Sequence, residues 1–522
     1  MPIEQFRMVG FNPDVAAHEL PPDQWSDIKH LVPDRGVYSK AGGAFNAAAA
    51  LTPAPLWMLN FQLGNPDSIN QLNNYWIYAG IDTTTKVFLH DGIDDTDSEI
   101  TLAGLYASSR PNDFTGGVMN GYPFLTADPL RNNSGSTDIQ YWPGTNTSTV
   151  PDNMLTLPAQ LGTLGGAWAG YVLSWVAAHK NHIFGGHTVS TTYGHAPDEI
   201  VWSDSAPQGG LPTTWDPAAA ASEAGNVRLT ATPGAVIHGI SGPSDRFYVF
   251  KHQSVYAGQY VGGNEVYAWR LLSRHVGVVA RHCVQVVGNL MYICGTDDVV
   301  VFDGYDFKSI CDNRTRNEIF TLIHLAGSSS EDTFTAYRPD ADEFWVIPPS
   351  SAQIYSTRCF VYNVKEDKWG ERILESYGSA GLGIPFGNQY GNYKLHMGRI
   401  SGANEIHEID QNNSDSDTAG IGWEAYRTDL DFGDRNRVKT VNRIRPRVTS
   451  TGTPTITVQL GARNTLDETI TYNSAVNFVV GTDKWVTDIV SGKFISIRFA
   501  DTSASKETVW GFDVDFEIGG EF

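Results

Sequence analysis

Two runs of closely spaced acidic residues could bind a metal ion. Residues 91–99 read DGIDDTDSE and residues 410–417 read DQNNSDSD. Such runs suit Ca²⁺, which takes about six to eight oxygen ligands. Neither run has the Asp-x-Asn/Asp-x-Asn/Asp-Gly order of an EF-hand loop, and polar runs between strands are usually solvated turns. We predict solvated turns and leave calcium open as the alternative. The oxygen donors are Asp91, Asp94, Asp95, Asp97, Asp410, Asn412, Asp415 and Asp417.

Three histidines lie close together in HKNHIFGGH, at His179, His182 and His187. In a strand, His182 and His187 would point to opposite faces, because side chains alternate. No set of ligands has the spacing of a zinc site. A phosphate-binding loop, a nucleophile elbow and a His-Glu-x-x-His motif are also missing. We predict no metal, no cofactor and no catalytic residue; a carboxylate pair that meets only in the fold would escape this test.

The stretch VWSDSAPQGGLPTTW (201–215) joins a strand-like start to a Gly-Gly turn. The side chains of Ser203 and Asp204 can hydrogen-bond to the backbone of the turn, and Trp215 can pack between sheets. The stretch resembles the Asp box, a Ser-x-Asp-x-Gly-x-x-Trp turn of sialidase-type β-propellers. A sialidase would also need three Arg, a Tyr nucleophile with a Glu base and a catalytic Asp, which the order of this chain does not assemble. We interpret Ser203, Asp204 and Trp215 as a structural turn.

Arginines are concentrated in VNRIRPRV (441–448), although the formal net charge of the chain is −22. Strand alternation places three of them on one face, and the proline suggests an edge strand or a strand start. The face is either solvated or in contact with an acidic neighbouring subunit or partner. We predict the contact. The face comprises Arg443, Arg445 and Arg447, and Arg435, Arg437 and Lys439 come just before it.

The elements that carry these residues are predicted to be strands. Between residues 56 and 410, apolar alternating runs and Gly/Asn/Asp turns recur about every 40–50 residues, which indicates a β-propeller of six or seven blades. A series of β-sandwiches is the structural rival. Gly288-Asn289 separates two strand runs and predicts a hairpin, which would place Cys283 opposite Cys294. A disulfide between them stays open, although buried thiols are the more common outcome.

The two ends of the chain have a different character. From residue 411 a polar linker leads into longer alternating strands, which predict a C-terminal antiparallel β-sandwich over 411–522. Residues 1–55 are rich in Pro, Gly and Asp and read as an extended N-terminal arm with one short helix at Pro22–His30.

Composition limits the function. The 522 residues include 52 Gly and 26 Pro, only 18% are charged, and long helices are not expected. An acidic chain lacks the Lys/Arg surplus needed to hold DNA by its phosphates. The N-terminus does not read as a secretory signal. The least charged stretch, 162–178, is short for a membrane span, so we predict no membrane insertion.

Both ends and several inner segments resemble the tail nozzle (tail tube) proteins of short-tailed bacteriophages, the podoviruses. The segments concerned are GFNPDVAAHELPPDQWSDIKHLVPDRGVYSKAGG near the start, VWSDSAPQGGLPTTWDP and VYNVKEDKWGER inside, and DFGDRNRVKTVNRIRPRV and GKFISIRFADTSASKETVWGFDVDFEIGG near the end. Their order along the chain carries most of the resemblance.

The resemblance implies a structural virion protein without enzymatic activity, assembled in the host cytoplasm as a ring of usually six copies below the portal and adaptor. Double-stranded DNA would pass through the bore without tight binding, and tail fibres or spikes would dock outside. The alternatives are a propeller glycoside hydrolase or depolymerase, which would release sugar, and a carbohydrate-binding propeller, which would be a monomer with sugar affinity.

Overall fold

The computed structural model describes most of the chain. The described residues are 3–47, 53–64, 72–81, 85–92, 96–102, 110, 113–128, 138–144, 153–158, 160, 171–190, 194–263, 265–312, 314–351, 353–388, 390–400, 404–409, 414–415 and 419–521. They contain 43 strands, the α-helix α1 (Arg316–Leu325) and two short 3-10 helices at Pro243–Asp245 and Gly327–Asp332. The prediction of an all-β chain is confirmed.

The N-terminal residues form seven short strands. The helix predicted at Pro22–His30 is wrong: residues 27–29 pair with residues 424–426, so a remote strand supplies the backbone hydrogen bonds that a helix would have made locally. Burial of Trp25 and Ile28 fixes the segment in place. The strands are β1 (Ile3–Arg7), β2 (Gly10–Phe11), β3 (Gln24–Trp25), β4 (Asp27–Lys29), β5 (Leu31–Asp34), β6 (Val37–Lys40) and β7 (Ala44–Asn46).

Five consecutive segments then form four-stranded antiparallel sheets, in each of which sequence neighbours are also spatial neighbours. The first is β8 (Ala54–Gly64), β9 (Leu72–Ile81), β10 (Thr85–Asp91) and β11 (Thr96–Glu99). The second is β12 (Phe114–Met119), β13 (Tyr122–Ala127), β14 (Gln140–Tyr141) and β15 (Leu155–Thr156). The third is β16 (Val172–His179), β17 (His182–Ser190), β18 (Gly194–Trp202) and β19 (Gly225–Arg228). The fourth is β20 (Val236–Gly242), β21 (Arg246–Lys251), β22 (Val255–Tyr260) and β23 (Tyr267–Ser273). The fifth is β24 (Val284–Val287), β25 (Leu290–Cys294), β26 (Val299–Phe302) and β27 (Phe307–Ser309).

Two further groups of four strands share one long strand. They contain β28 (Phe334–Arg338), β29 (Glu343–Ile347), β30 (Ser356–Asn363), β31 (Lys368–Gly383), β32 (Lys394–Arg399) and β33 (Glu405–Ile409). β31 pairs with β30 as far as Tyr377 and with β32 from Tyr377 onward, and Ser376 beside this junction has a φ of +59°. The outermost strand after β33 is β7 from the N-terminal segment, with Ala44 opposite Ile409.

The leading strands of these groups pack on one another in a circle. β8 contacts β12, β12 contacts β16, β16 contacts β20, β24 contacts β28, β28 contacts β31, and β31 contacts β8. β20 and β24 line one cavity between them. Stacked four-stranded sheets around a central channel are the arrangement of a β-propeller, which the recurring turn pattern predicted.

The C-terminal strands lie in three sheets. They are β34 (Ser414–Asp415), β35 (Ala419–Gly420), β36 (Trp423–Leu430), β37 (Arg437–Ser450), β38 (Thr455–Arg463), β39 (Thr471–Tyr472), β40 (Val476–Val479), β41 (Val486–Gly492), β42 (Phe494–Asp501) and β43 (Glu507–Glu521). One run of strands, β6-β43-β37-β41 with β1 also on β43, continues the sheet of β28–β31 through β5, which pairs with both β31 and β6. The second sheet runs β39-β38-β42-β36-β4, with β40 also on β38, and β34 pairs with β35 in a third. Their buried side chains, including Ile444, Leu460, Phe499 and Phe512, belong to one core.

Buried cations attach the N-terminal strands to these sheets. Lys40 Nζ lies 3.5 Å from Asp501 and 3.3 Å from Glu507, and all three side chains are almost fully buried. The guanidinium of Arg427 donates to the carbonyl oxygens of Ala17 at 2.9 Å and Leu20 at 3.0 Å. Residues 3–47, the described part of the predicted arm before β8, are therefore built into the folded body and do not project from it.

Candidate subunit interface

The three arginines of β37 share the outer face of their sheet, as strand alternation predicted. Arg445 is exposed and Arg443 and Arg447 are partly exposed, whereas Ile444 and Pro446 between them are buried. The strand is not an edge strand over its whole length, because β43 and β41 flank it. Its pairing with β41 ends at Ile444, however, so at Pro446 a neighbour is present on one side only. The missing N–H of proline is tolerated there.

Two carboxylates of the adjacent strand β43 face these arginines within the same chain. Arg443 Nε donates to Asp515 Oδ2 at 2.8 Å, and Arg447 Nε lies 3.9 Å from Asp513 Oδ1. Both aspartates are nearly buried. Carboxylate partners were expected from a neighbouring subunit, but for Arg443 the chain supplies one itself. Arg445 forms no ion pair with any described residue and is the arginine of this face that is available to a partner.

The cations just before and at the start of β37 also have partners within the chain. Arg435 Nε lies 3.0 Å from Asp431 and its Nη2 donates to the carbonyl of His18 at 3.0 Å, whereas Arg437 Nε lies 3.6 Å from Asp434. Lys439 is buried and donates to two backbone carbonyls, those of Asp434 and Lys493. These cations stabilise the turn into β37, and half of each of Arg435 and Arg437 remains exposed.

The Asp-box-like turn is saturated by backbone contacts. Asp204 Oδ1 accepts hydrogen bonds from the backbone N–H groups of Ser205 and Glu223, both at 2.8 Å. Ser203 Oγ accepts from the N–H of Ile183 at 3.0 Å and donates to the carbonyl of Asp204 at 2.9 Å. Trp215 is 1% exposed and packs in the core between the second and third sheets. In this geometry Ser203 and the Oδ1 atom of Asp204 hold the backbone of the turn together, which is a structural role.

The other sequence candidates do not form a metal site in the part of the chain that the structure describes. Asp91 accepts a hydrogen bond from Asn73 at 2.6 Å, and Asp97 accepts one from Tyr78 at 3.0 Å. His179 and His182 are paired neighbours on β16 and β17, and His187 Nε2 lies 2.6 Å from His195 Nε2. Asp94, Asp95, Asp410, Asn412 and Asp417 lie outside the described residues, as does the side chain of Asp415.

The predicted hairpin at Gly288-Asn289 is present. Val287 pairs with Leu290, and the backbone N–H of Cys294 donates to the carbonyl of Cys283 at 2.9 Å, which places the two cysteines opposite each other. Both are buried free thiols. Hydrogen bonding to Cys283 and burial raise the pKa of the Cys294 thiol well above its usual value, so the thiolate needed for exchange chemistry is disfavoured.

An open cavity of about 550 Å³ holds carboxylates that sequence reasoning missed. Arg358 binds Glu371 through two hydrogen bonds of 2.5 and 2.8 Å and Glu318 through one of 2.8 Å. Burial raises the pKa of Glu371 to about 7 against the opposing pull of Arg358, and burial also raises the pKa of Asp27. Asp27, Glu318 and Glu371 come from β4, α1 and β31, so no local sequence motif could have predicted that they meet.

The propeller channel is crossed by side chains. Arg281, just before β24, forms a buried ion pair with Asp128, which follows β13, and His282 Nε2 lies 3.0 Å from the carbonyl oxygen of Phe114 on β12. The second and fifth sheets are not neighbours in the circle, so these contacts span the channel. Burial lowers the pKa of His238 to about 3 and of His282 to about 4, which keeps both imidazoles neutral at pH 7. The cavity left beside them is about 240 Å³.

None of the helices in the described ranges is long and apolar enough to cross a membrane. No protein-family model matches the sequence, and no curated protein matches it.

Solved structures resemble the chain only distantly. A streptogramin B lyase structure has a TM-score of 0.40 at 8% identity and covers 70% of this chain and 97% of its own. The virginiamycin B lyase from Staphylococcus aureus has a TM-score of 0.40 at 7% identity, and the match covers 70% of this chain and 98% of the lyase. The structure of BBS1N in complex with ARL6DN, soaked with lead, has a TM-score of 0.39 at 11% identity, covering 73% and 98%. Likenesses this weak do not bear on activity.

Proposed function

We propose that the chain is a structural subunit of a podovirus tail nozzle. In this proposal it is a seven-bladed propeller fused to a C-terminal β-sandwich. It assembles, most simply as a hexameric ring, below the portal and adaptor, and carries tail fibres or spikes on its outer surface. It resides in the tail of the virion after assembly in the host cytoplasm. It does not act as an enzyme and does not insert into a membrane.

The observation that carries the proposal is the outer face of β37. A chain with a net charge of −22 presents an arginine, Arg445, that has no ion-pair partner among the described residues. In an acidic assembly its nearest partners are carboxylates of a neighbouring copy, and an Arg–carboxylate pair is directional. Heterologous contacts of this kind close into rings when the rotation permits.

The blocked propeller channel supports a particular position for the DNA. Contacts from Arg281 and His282 across the channel leave no passage for a duplex. The bore of the nozzle therefore lies between copies of the chain and not inside any one propeller. Acidic walls let a duplex slide because they offer few phosphate-neutralising contacts.

The proposal is tested by imaging. Antibodies against the chain should label the tails of the parent particles, and averaged images should show several copies arranged around the tail axis. One copy per particle, or labelling away from the tail, would contradict the nozzle.

The cavity around Glu371 favours a second candidate, a propeller glycoside hydrolase. Carboxyl groups with raised pKa values in an open cavity can act as general acids. Here the two hydrogen bonds from Arg358 occupy both carboxylate oxygens of Glu371, which is why we place this candidate second. Release of reducing sugar from host surface polysaccharide by the wild-type chain, abolished in Glu371→Gln while the circular dichroism spectrum is retained, would reverse the order.

A further inference from the structure

A groove of about 750 Å³ lies beside the exposed end of β37. Its walls come from residues 445–453, residues 478–484 and Trp510 on β43. Arg445 and Lys484 are both exposed, and neither forms an ion pair with a described residue. The carboxylate of Asp483, the one acidic residue lining the groove, accepts a hydrogen bond from the N–H of Val479 at 2.7 Å. The groove is a cationic site in an acidic chain.

Trp510 adds an aromatic surface to the groove. Its side chain is 36% exposed, and its Nε1 donates to Thr449 Oγ1 at 3.2 Å, which fixes the orientation of the indole. Tryptophan and arginine together are the residue types that most often carry binding energy at protein interfaces. The groove therefore fits an aromatic side chain that is flanked by carboxylates.

The fifth sheet of the same chain presents such a group. In the turn between β26 and β27, Tyr305 is 90% exposed, the highest value among the large apolar side chains that the structure describes. Asp303 Oδ1 accepts the backbone N–H groups of Tyr305 at 2.8 Å and Asp306 at 2.9 Å, so the turn is rigid. Phe302 and Phe307 stack below it with ring centres 4.5 Å apart. Asp303 and Asp306 form no ion pair with a described residue.

We propose that the Tyr305 turn of one copy docks into the Arg445 groove of a second copy. The inference rests on the proposed function, because it supplies the contact by which the ring would close. Tyr305 packs beside Trp510, and Asp303 and Asp306 face Arg445 and Lys484. Because the groove and the turn are different patches of one chain, each copy offers one of each, as a heterologous ring contact requires. A rigid turn and a fixed indole lose little conformational entropy on docking.

A charge exchange between the two patches tests the contact. Self-association of the full chain is measured by sedimentation velocity over a series of protein concentrations, at low and at high salt. Arg445→Glu with Lys484→Glu should weaken association about tenfold or more, and Asp303→Lys with Asp306→Lys should do the same. The chain that carries all four substitutions should regain association, since the charges are exchanged and complementary again. Tyr305→Ser should weaken association without changing its salt dependence.

The matched control is Arg270→Glu with Arg274→Glu, which makes the same change of charge at two exposed residues, one on β23 and one just after it, and should leave association unchanged. A wild-type chain that stays monomeric at every concentration overturns the inference. The nozzle proposal is then tested separately, by the number of copies in each tail. Association that persists in both charge variants overturns the inference. Failure of the fourfold variant to regain association overturns it as well. Neither result contradicts a ring formed through another contact. A groove variant that loses only binding to a fluorescent DNA duplex would show a phosphate site instead and also overturns it.

Discussion

Arg443 donates from Nε to Asp515 Oδ2 at 2.8 Å across the pairing of β37 with β43, and its guanidinium lies 4.7 Å from the ring centre of Trp485. Asp515 is 2% exposed, so its carboxylate is removed from water and Arg443 is the cation that contacts it. Arg445, two residues further along the same face, has no such partner among the residues that the structure describes. Arg443 and Arg445, which look equivalent in the sequence, therefore differ in role. Arg443 stabilises its own chain, whereas Arg445 is available to bind a second chain.

Substitution of the two residues should separate these roles. Arg443→Glu places two carboxylates together at a nearly buried site and should lower the free energy of unfolding by about 1–2 kcal/mol. The effect is smaller than for a fully buried ion pair because Arg443 is 40% exposed. Arg445→Glu should cost less than about 0.5 kcal/mol but impair tail incorporation. Urea unfolding and incorporation assays measure the two effects. Equal unfolding midpoints for both variants would remove the distinction.

Loss of Lys40 should be among the most costly single changes in the chain. Lys40→Met leaves Asp501 and Glu507 buried without their cation, which should lower the free energy of unfolding by about 3–5 kcal/mol. The matched control is Lys365→Met, because Lys365 is 73% exposed and its pair with Asp342 is solvated. That change should cost less than about 0.5 kcal/mol. Similar melting temperatures for the two variants would contradict the role of Lys40.

Asp204→Ala should lower the free energy of unfolding by about 1 kcal/mol, because two backbone N–H groups lose their acceptor. Asp204→Asn keeps an oxygen at the same position and should recover most of the loss. Thermal unfolding followed by circular dichroism measures both. Sugar cleavage by the wild-type chain that disappears in a folded Asp204→Ala variant would instead assign this carboxylate a catalytic role.

Stability should fall as the pH drops below about 6.5. Six histidines have folded-state pKa values lowered to about 3 or 4, with burial as the main cause. The unfolded chain takes up these protons near its ordinary pKa and the folded chain does not, so the stability they contribute is present above pH 6.5 and is lost as the pH falls. Glu371 makes a contribution of opposite sign to the pH dependence of stability, since its raised pKa of about 7 favours the folded state at acidic pH.

The measurement is the urea midpoint between pH 7.5 and 5. His238→Gln removes one of the six groups, so the proton uptake on unfolding should fall by about one. A midpoint that does not change over this range would contradict the burial of neutral histidines. The six residues are His30, His179, His187, His238, His282 and His396.

The purified chain should bind duplex DNA weakly at physiological salt, because a net charge of −22 leaves few phosphate contacts. Fluorescence anisotropy with a labelled duplex, repeated at several salt concentrations, measures this. A sub-micromolar dissociation constant at physiological salt would show a far more basic lining than the composition indicates.

Local patterns in the sequence predicted local structure well. The Gly288-Asn289 turn predicted its hairpin and the opposition of Cys283 and Cys294, because a two-residue turn fixes the register. Alternation around Ile444 and Pro446 predicted the shared face of the arginines, because a strand has a period of two. The recurring strand-turn pattern predicted the stacked four-stranded sheets for the same reason.

What the sequence could not predict depends on pairings between distant residues. Asp515 lies 72 positions from Arg443, and nothing local to either residue marks the pair. The strand at Asp27–Lys29 reads as helical because its partners, residues 424–426, are 395 or more positions away in the chain. The raised pKa of Glu371 arises from burial and from Asp27 and Glu318, which meet it only in the fold.

The strand β7 has a consequence for the order of folding. Ala44–Asn46 is the outermost strand beside β33, which ends at Ile409, so the circle of sheets is completed by residues that lie more than 350 positions apart. Loop closure over such a distance is slow and comes late. During synthesis Ala44 cannot pair with Ile409 until the ribosome has synthesised the chain as far as residue 409. Until then the edge of β33 that β7 will cover has no partner from this strand, and unpaired strand edges of this kind are the sites at which folding intermediates aggregate.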